Sequence, residues 1–412
     1  MRSLHGEKSG WRPGWPAGVG VLVAALLLPT AGAGTGAAAE AAPLAALIVV
    51  APDGDDGGAG TVADPLATVQ AAVDRAGPGD TVQVRGGTYT LSENITIATS
   101  GEPGSPITLS AYPGERPVID GNELPASHTP VGGSIPREER GAIHMEAAHW
   151  RIANLEIIRG PYGIYCDGCD DNEFLNLTTR DNYETGFQLQ GVSRRNLIEN
   201  LDSFGNHDPR KNGESADGLG VKEGTGEGNR VVGARLWHNA DDGFDAWEFL
   251  SPVALESTVA WGNGFNRWDF PDFEGDGNGF KMGGGDEDLP ADHALSNCLA
   301  FENAVDGVTD NGNPGALSVT RTSTYANGGT GFDLADSRST LTANLSLLDA
   351  AAVEPGGGTS EGNSWELGGD WGEDSVLSVD ASTVTGPRGP DGAIGSSDFL
   401  VPADGSAIGA RF

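Results

Sequence analysis

The chain has 412 residues, with 59 acidic and 24 basic side chains and a formal net charge of −35. This charge argues against a nucleic-acid-binding protein, because such proteins present a basic face to the phosphate backbone. A hydrophobic content of 38% is too high for a disordered acidic chain, and three cysteines are too few for a disulfide-rich scaffold.

The first residues are typical of an export signal. Basic residues, among them Arg2 and Arg12, precede an apolar run over 17–28, and small residues follow it. The run is short for a membrane span, and an uncleaved membrane anchor is the alternative. We therefore predict a signal peptide over 1–33, a flexible leader over 34–45, and a secreted monomer without stable membrane association.

A single β-helix domain is predicted over 46–412. Its first element is a short amphipathic helix over 65–76, with Asp64 as the N-cap and Pro65 at the first helical position. We expect this helix to cap one end of the repetitive structure that follows. Regular coils are predicted over about 80–350, and the Gly- and Pro-rich sequence beyond them is interpreted as an irregular cover.

The middle of the chain is built from a repeat, in which a glycine followed by an apolar residue recurs at intervals of 32, 25, 36, 28 and 24 residues. Strand-like segments and Asn/Gly turns fill the intervals, without helical periodicity. One unit cannot bury its apolar face alone, so successive units must stack with their strands in parallel. We therefore predict an all-β fold, a right-handed parallel β-helix; a β-propeller would need about 40–45 residues per blade. The repeated pairs begin at Gly186, Gly218, Gly243, Gly279, Gly307 and Gly331.

Asparagines recur in the turns of these units. We expect them to take the left-handed backbone conformation, which Asn tolerates, and to hydrogen-bond between coils through their side chains. They are Asn206, Asn239, Asn263, Asn303 and Asn327.

Three consecutive units carry charged residues beside their Gly-apolar pair. Aligned on that pair, Leu219, Phe244 and Phe280 share an inward register, so Asp245 and Lys281 point outward at matching positions. Adjacent coils are separated by the strand spacing of about 4.8 Å. We therefore expect one outer patch to contain Asp217, Asp241, Asp242, Asp245 and Lys281.

Four carboxylates in so small a patch cannot all remain ionised without a cation. Oxygen ligands on turns suit Ca²⁺, whereas no His or Cys lies among these residues to favour zinc. The cluster therefore predicts a calcium site, and four solvated turn aspartates are the alternative.

Lys281 is one of only four lysines in the chain, which points to a chemical role. An acidic sugar polymer bound through its carboxylate to Ca²⁺ would have a more acidic C5 proton, α to that carboxylate. Lys281 could remove this proton if its amine is neutral; Ca²⁺ would lower its pKa from about 10.4, while the aspartates would raise it. Loss of the C4 oxygen would complete a β-elimination without consuming water.

Four segments contain these residues: Ser-Ala-Asp-Gly…Lys at 215–222, Asn-Ala-Asp-Asp-Gly-Phe-Asp at 239–245, Trp-Gly-Asn-Gly at 261–264 and Gly-Asp-Gly-Asn-Gly-Phe-Lys at 275–281. Together they resemble polysaccharide lyase family 9, a pectate lyase family with a right-handed parallel β-helix. The resemblance implies a pectate lyase acting on polygalacturonate. It also implies that the calcium ligands are Asp217, Asp241, Asp242 and Asp245, and that Lys281 is the base.

Other polar and aromatic residues have two interpretations. Lys222 is a candidate contact for substrate carboxylates, with a salt bridge on the coil surface as an equal alternative. Arg210 and Lys211 are expected to be an exposed pair of loop charges. Core or coil-stack packing is favoured over sugar stacking for Trp237, Trp247, Trp261 and Trp268.

Two of the three cysteines are close in sequence. Cys166 and Cys169 are spaced for a local disulfide in an exported protein, and Cys298 is expected to be a buried thiol.

Other functions are compatible with a β-helix. A lyase acting on another acidic glycan is one alternative to a pectate lyase. A hydrolase of the polygalacturonase type would need acidic general acid and base groups flanking the bond. A carbohydrate-binding or adhesion β-helix would have no reason to place Lys281 beside the aspartates.

Overall fold

The computed structural model describes residues 45–285, 289–368 and 370–412. The predicted signal peptide, 1–33, and all but the last residue of the predicted leader, 34–45, lie outside these residues. No helix within the described part of the chain is long and apolar enough to cross a membrane.

Parallel strands form three long sheets in these described ranges. The chain visits the first, third and second sheets in turn and then returns to the first, so each circuit makes one coil of a parallel β-helix. This confirms the predicted fold class. The architecture matters for function because residues at equivalent positions of successive coils become neighbours.

The strands of the first sheet are Leu47–Val50, Thr81–Val84, Ile107–Ala111, Trp150–Ala153, Glu173–Leu175, Leu197–Glu199, Asn229–Val232, Val253–Glu256, Ala294–Ser296, Ser318–Thr320, Thr340–Thr342 and Thr359–Glu361. The strands of the second sheet are Ile95–Ile97, Ile143–Met145, Ile164–Asp167, Phe187–Val192, Leu219–Thr225, Phe244–Asp245, Phe280–Lys281, Val308–Thr309, Thr330–Leu334 and Ala351–Pro355. The strands of the third sheet are Gly87–Thr90, Pro117–Asp120, Glu156–Ile158, Thr178–Arg180, Asp202–Phe204, Arg235–Trp237, Val259–Trp261, Leu299–Phe301, Ser323–Tyr325 and Leu345–Leu347.

The core is a stack of inward side chains at equivalent coil positions. In the second sheet, Leu219, Phe244, Phe280, Val308 and Phe332 pair successively and are fully buried. Burial of such side chains contributes about 1.5–3 kcal/mol each, which makes this stack the main force holding neighbouring coils in register.

A ladder of buried asparagines links the coils, as predicted. The side-chain amide of Asn239 donates to Asn263 at 3.0 Å, and that of Asn263 donates to Asn303 at 2.9 Å. The expected left-handed conformation is wrong for these residues, since the positive φ belongs to the residue before each one, such as His238 and Gly262. The Asn itself stays in the ordinary region because its side chain must point inward. The ladder runs through Asn182, Asn206, Asn239, Asn263, Asn303 and Asn327.

The N-terminal helix is shorter than predicted and spans Val69–Arg75. Its N-cap is Thr68, whose hydroxyl accepts from the amide of Ala71 at 3.2 Å, so the prediction of Asp64 as the cap is wrong. Leu66 is buried and bridges to Val50 as an extended residue, which prevents a helix from starting there.

Four further short helices of the described residues lie either between strands or in the C-terminal segment after the last strand. The α-helix Ser382–Thr385 belongs to that segment. The 3₁₀ helices are Pro125–His128, Arg137–Glu139 and Glu373–Ser375.

The chain after the last strand folds back along the third sheet. Val384, Phe399 and Leu400 are buried in one apolar cluster with Trp261 and Phe301. An ion pair at 2.7 Å joins Arg388 to Asp202. The segment therefore covers a side of the β-helix.

The state of the three cysteines agrees with the prediction from the sequence. Cys166 and Cys169 are joined by a disulfide, and Cys298 is a free, buried thiol.

The asparagine ladder predicts a large stability effect at one position. Asn263→Ala would leave the buried backbone and side-chain N–H groups of Asn239 without their acceptor, both now at 3.0 Å. We expect a loss of about 3 kcal/mol in the free energy of unfolding, measured by chemical denaturation. Asn94→Ala, which removes one bond to an exposed carbonyl, serves as the control and should change stability by less than about 0.5 kcal/mol. Equal losses in the free energy of unfolding for the two variants would show that the ladder stabilises the fold no more than an exposed hydrogen bond does.

Candidate metal and catalytic site

The predicted register of the three site coils is confirmed. In the second sheet, Leu219 pairs with Phe244, and Phe244 pairs with Phe280. One residue further along, Asp245 pairs with Lys281. Since successive strand residues point to opposite faces, the apolar residues lie in the core and the charged residues lie on the outer face.

Carboxylates gather there in two overlapping groups. Oxygens of Asp217, Asp242 and Asp245 lie within 4.8 Å of one another, as do oxygens of Asp241, Asp242 and Asp276. The four predicted aspartates are each at most 2% exposed, so they are not solvated turn residues. Asp276 is an addition to the predicted set, and its only sequence signal is its place in the motif five residues before Lys281.

Backbone amides orient these carboxylates. Asn278 donates to Oδ1 of Asp242 at 2.7 Å, and Trp247 donates to Oδ1 of Asp245 at 2.9 Å. Oδ2 of Asp242, in contrast, is buried and accepts no hydrogen bond among the described residues, and Nζ of Lys281 lies 3.3 Å from it as an ion pair. A buried, oriented carboxylate oxygen of this kind is suited to bind a cation.

Both site lysines form ion pairs with the cluster. Nζ of Lys222 lies 2.7 Å from Asp217 and 2.6 Å from Asp245. Nζ of Lys281 lies 2.7 Å from Asp276 and 3.3 Å from Asp242. Lys222 therefore makes the salt bridge that was the alternative to a substrate contact, and its role toward substrate stays a prediction.

The pKa values of the carboxylates reflect their burial. Burial raises the pKa of Asp217 to about 7 and that of Asp242 to about 6. Burial also raises the pKa of Asp241 well above its usual value. For Asp245 the same effect of burial is outweighed by Lys222 and Lys281, which lower its pKa. Near neutral pH the cluster must therefore hold protons or bind a cation.

The pKa of Lys281 is set by the same carboxylates. Burial lowers it, but Asp245, Asp242 and Asp241 outweigh burial and raise it above that of a free lysine. Without a bound cation, Lys281 is an ammonium group and cannot accept a proton.

A divalent cation fits this donor set. The four buried aspartates and the two lysine ammonium groups, when all are ionised, leave an excess of two negative charges, which one Ca²⁺ would balance. All available donors are carboxylate oxygens, the ligand type that Ca²⁺ prefers.

The cluster opens into a cleft of about 520 Å³, which Asp241, Asp245 and Lys281 help to line. Trp247 lines it as well, so this tryptophan faces the cleft instead of only packing. Trp237 and Trp261 stack on each other with ring centroids 4.8 Å apart, as predicted.

The remaining predictions concern Trp268 and two loop cations. Trp268 packs against the protein, since its ring stacks on that of His207 with centroids 5.0 Å apart. The expectation of an exposed Arg210 is wrong, because its side chain is 10% exposed and lies 2.6 Å from Glu184. The partner is 26 residues away in the sequence, so no local pattern reveals the pair. Lys211 is half-buried and lies 3.7 Å from Glu214.

Sequence reasoning also missed part of the cleft. Arg140, Tyr162, Gln188 and Gln190 line it on the side of the N-terminal coils. For Gln188 a signal existed, since it precedes the site coils in the same outward row, paired with Gly220, which itself pairs with Asp245.

The charge excess predicts that calcium stabilises the fold. Ca²⁺ at about 100 times its dissociation constant should add about 2.7 kcal/mol to the free energy of unfolding, seen as a higher thermal midpoint. Asp242→Asn should abolish most of this gain. Asp333→Asn, in the outward row of Lys281 and two coils beyond it, should retain it. An unchanged calcium response in the Asp242 variant would contradict the assigned ligands.

Comparisons with known proteins agree with this geometry. A family model described as "Pel9A-like, right handed beta helix region" matches residues 48–344. "Pectate lyase PEL9" of Emericella nidulans is 50% identical over 390 residues, which cover 90% of this chain and 95% of the relative. "Pectate lyase L" of Dickeya chrysanthemi is 33% identical over 84% of this chain and 81% of its own length. The crystal structure of pectate lyase Pel9A superimposes with a TM-score of 0.77 at 30% identity, covering 89% of this chain and 92% of that one.

Proposed function

Because this chain belongs to the Pel9A-like family of right-handed β-helix proteins and is a polysaccharide lyase, we propose that it is a calcium-dependent pectate lyase that cleaves polygalacturonate by β-elimination. The observation that carries the proposal is the position of Lys281, whose Nζ lies 3.3 Å from the buried Oδ2 of Asp242, beside the carboxylates that would hold the metal. The 50% identical relative named as a pectate lyase supports the substrate class.

Asp217, Asp241, Asp242 and Asp245 would hold Ca²⁺. When bound, Ca²⁺ would neutralise these carboxylates and draw electron density from a substrate carboxylate, which acidifies the proton on the adjacent C5 carbon. Cancelling the negative charge of the cluster would also reduce an apparent conflict, since a chain with a net charge of −35 would otherwise repel a polyanion.

Lys281 is proposed as the base. Its Nζ takes the C5 proton, the electrons of the C5–H bond form the C4–C5 double bond, and the C4–O bond breaks with its electron pair on the departing oxygen, which takes a proton from water. The three carboxylates that raise its pKa most, Asp245, Asp242 and Asp241, are assigned to the metal, so their neutralisation would make the amine easier to deprotonate and able to accept the proton. Asp276, 2.7 Å from Nζ, positions the amine in the cleft.

Location and assembly remain proposals drawn from the sequence. The apolar run over 17–28 supports export, and an extracellular polymer is a fitting substrate for an exported enzyme. We propose a secreted monomer without nucleic-acid partners or stable membrane association.

Substitution of the base tests the mechanism. Lys281→Ala should reduce the rate on polygalacturonate by about 10²–10⁴-fold or more, because a positioned base is lost. The rate is followed by the ultraviolet absorbance of the unsaturated product at alkaline pH, with calcium and then with a chelator. Arg230→Ala, which removes an exposed ion pair on the first sheet, should leave the rate unchanged.

Each outcome of this assay decides one point. Full activity of the Lys281 variant would show that the base is another group. New reducing ends without absorbance in the wild type would indicate hydrolysis. Absorbance only with another uronan would keep the elimination and change the substrate.

A further inference from the structure

Arg140 differs from the other cations of the cleft. It follows the 3₁₀ helix Arg137–Glu139, and its guanidinium lies over the ring of Tyr165, 5.4 Å from the centroid. Its Nη1 donates to the Tyr165 hydroxyl at 3.2 Å. No carboxylate oxygen lies within 4.0 Å of it among residues 45–285, 289–368 and 370–412.

The other cleft cations are all paired. Lys222 and Lys281 contact the aspartate cluster, Arg210 contacts Glu184 at 2.6 Å, and Lys211 lies 3.7 Å from Glu214. Among the cations that line the cleft, Arg140 is therefore the one without a carboxylate partner in the described residues. Its remaining N–H donors suit a planar anion such as a carboxylate.

Strand register gives the separation between Arg140 and Asp245. The residue beneath the guanidinium, Tyr165, pairs with Gln188, Gln188 with Gly220, and Gly220 with Asp245. Three coil spacings amount to about 14 Å, the length of several sugar rings. Gln188 and Gln190 line the cleft between the two points, where Gln188 donates to Gln190 at 3.1 Å and Gln190 donates to Glu223.

The opposite side of the cluster is more acidic. Beyond Lys281, the next coils line a neighbouring depression with Asp306, Asp310, Asp333 and Asp336. Over the N-terminal coils, the cations Arg140, Arg210 and Lys211 offset the lining carboxylates Glu184, Glu214 and Glu223. A polyanion crossing the cluster is therefore repelled less over the N-terminal coils than over the C-terminal ones.

We propose that Arg140 binds a carboxylate of the uronan several sugars away from the bond that is cleaved, and so makes the N-terminal arm of the cleft its recognition site for long, acidic chains. This inference rests on the proposed function, because it takes the substrate to be a polyuronate. Arg140 is a specificity-determining residue that takes no part in the proton transfer.

The test compares substrate lengths. Arg140→Gln should raise KM for polygalacturonate about 10- to 100-fold, the range for losing a charge-assisted hydrogen bond, with kcat nearly unchanged. For a trimer of galacturonate, which is too short to reach Arg140 from Lys281, four coil spacings or about 19 Å away, both constants should match the wild type. Arg140→Lys should restore part of the loss, since the charge returns without the planar fork. Arg151→Gln, on an exposed ion pair of the first sheet, is the matched control.

A binding measurement separates the two proposals. Retardation in gels containing polygalacturonate and calcium, in the inactive Lys281→Ala background, should fall when Arg140→Gln is added and should depend less on salt. Equal retardation, or an equal loss of kcat on the trimer and the polymer, would overturn the role of Arg140. Arg140-dependent retardation by a wild-type protein that forms no unsaturated product would instead refute the elimination and leave the recognition intact.

Discussion

Parallel pairing between successive coils is the constraint on which the site depends. It places side chains at equivalent positions about 4.8 Å apart whether or not they attract each other. The fully buried stack of Leu219, Phe244 and Phe280 supplies the favourable free energy. The same register then forces the neighbouring aspartates together, so the apolar core stabilises a concentration of like charge that electrostatics alone would disperse.

That imposed charge controls the chemistry of the lysines. Lys222 and Lys281 serve as internal counterions in this structure, each within 2.7 Å of a carboxylate. One set of aspartates thus governs both cation affinity and the proton affinity of Lys281. Under the proposed function, this coupling would make the amine a base only when a cation binds the aspartates that compete for its proton.

The sequence was most informative where structure follows local repetition. The register of Phe244 with Phe280 and of Asp245 with Lys281 could be predicted because the Gly-apolar pairs mark it directly. The helix start could not, because it depends on the pairing of Leu66 with Val50 across a loop. Burial of Arg210 depends likewise on a distant Glu184. The cleft beyond the aspartates is assembled from loops of several coils, and its shape has no signature in any one of them.

The C-terminal segment has a consequence for how this solenoid comes apart. A stack of coils that touch only their neighbours can fray progressively from either end. Here Arg388 is tied to Asp202, a residue 186 positions earlier, and the last residues bond back to Ala343 and Asn297. These contacts connect coils that would otherwise unfold one at a time. The coils joined by the C-terminal segment should therefore unfold together, in a single cooperative transition.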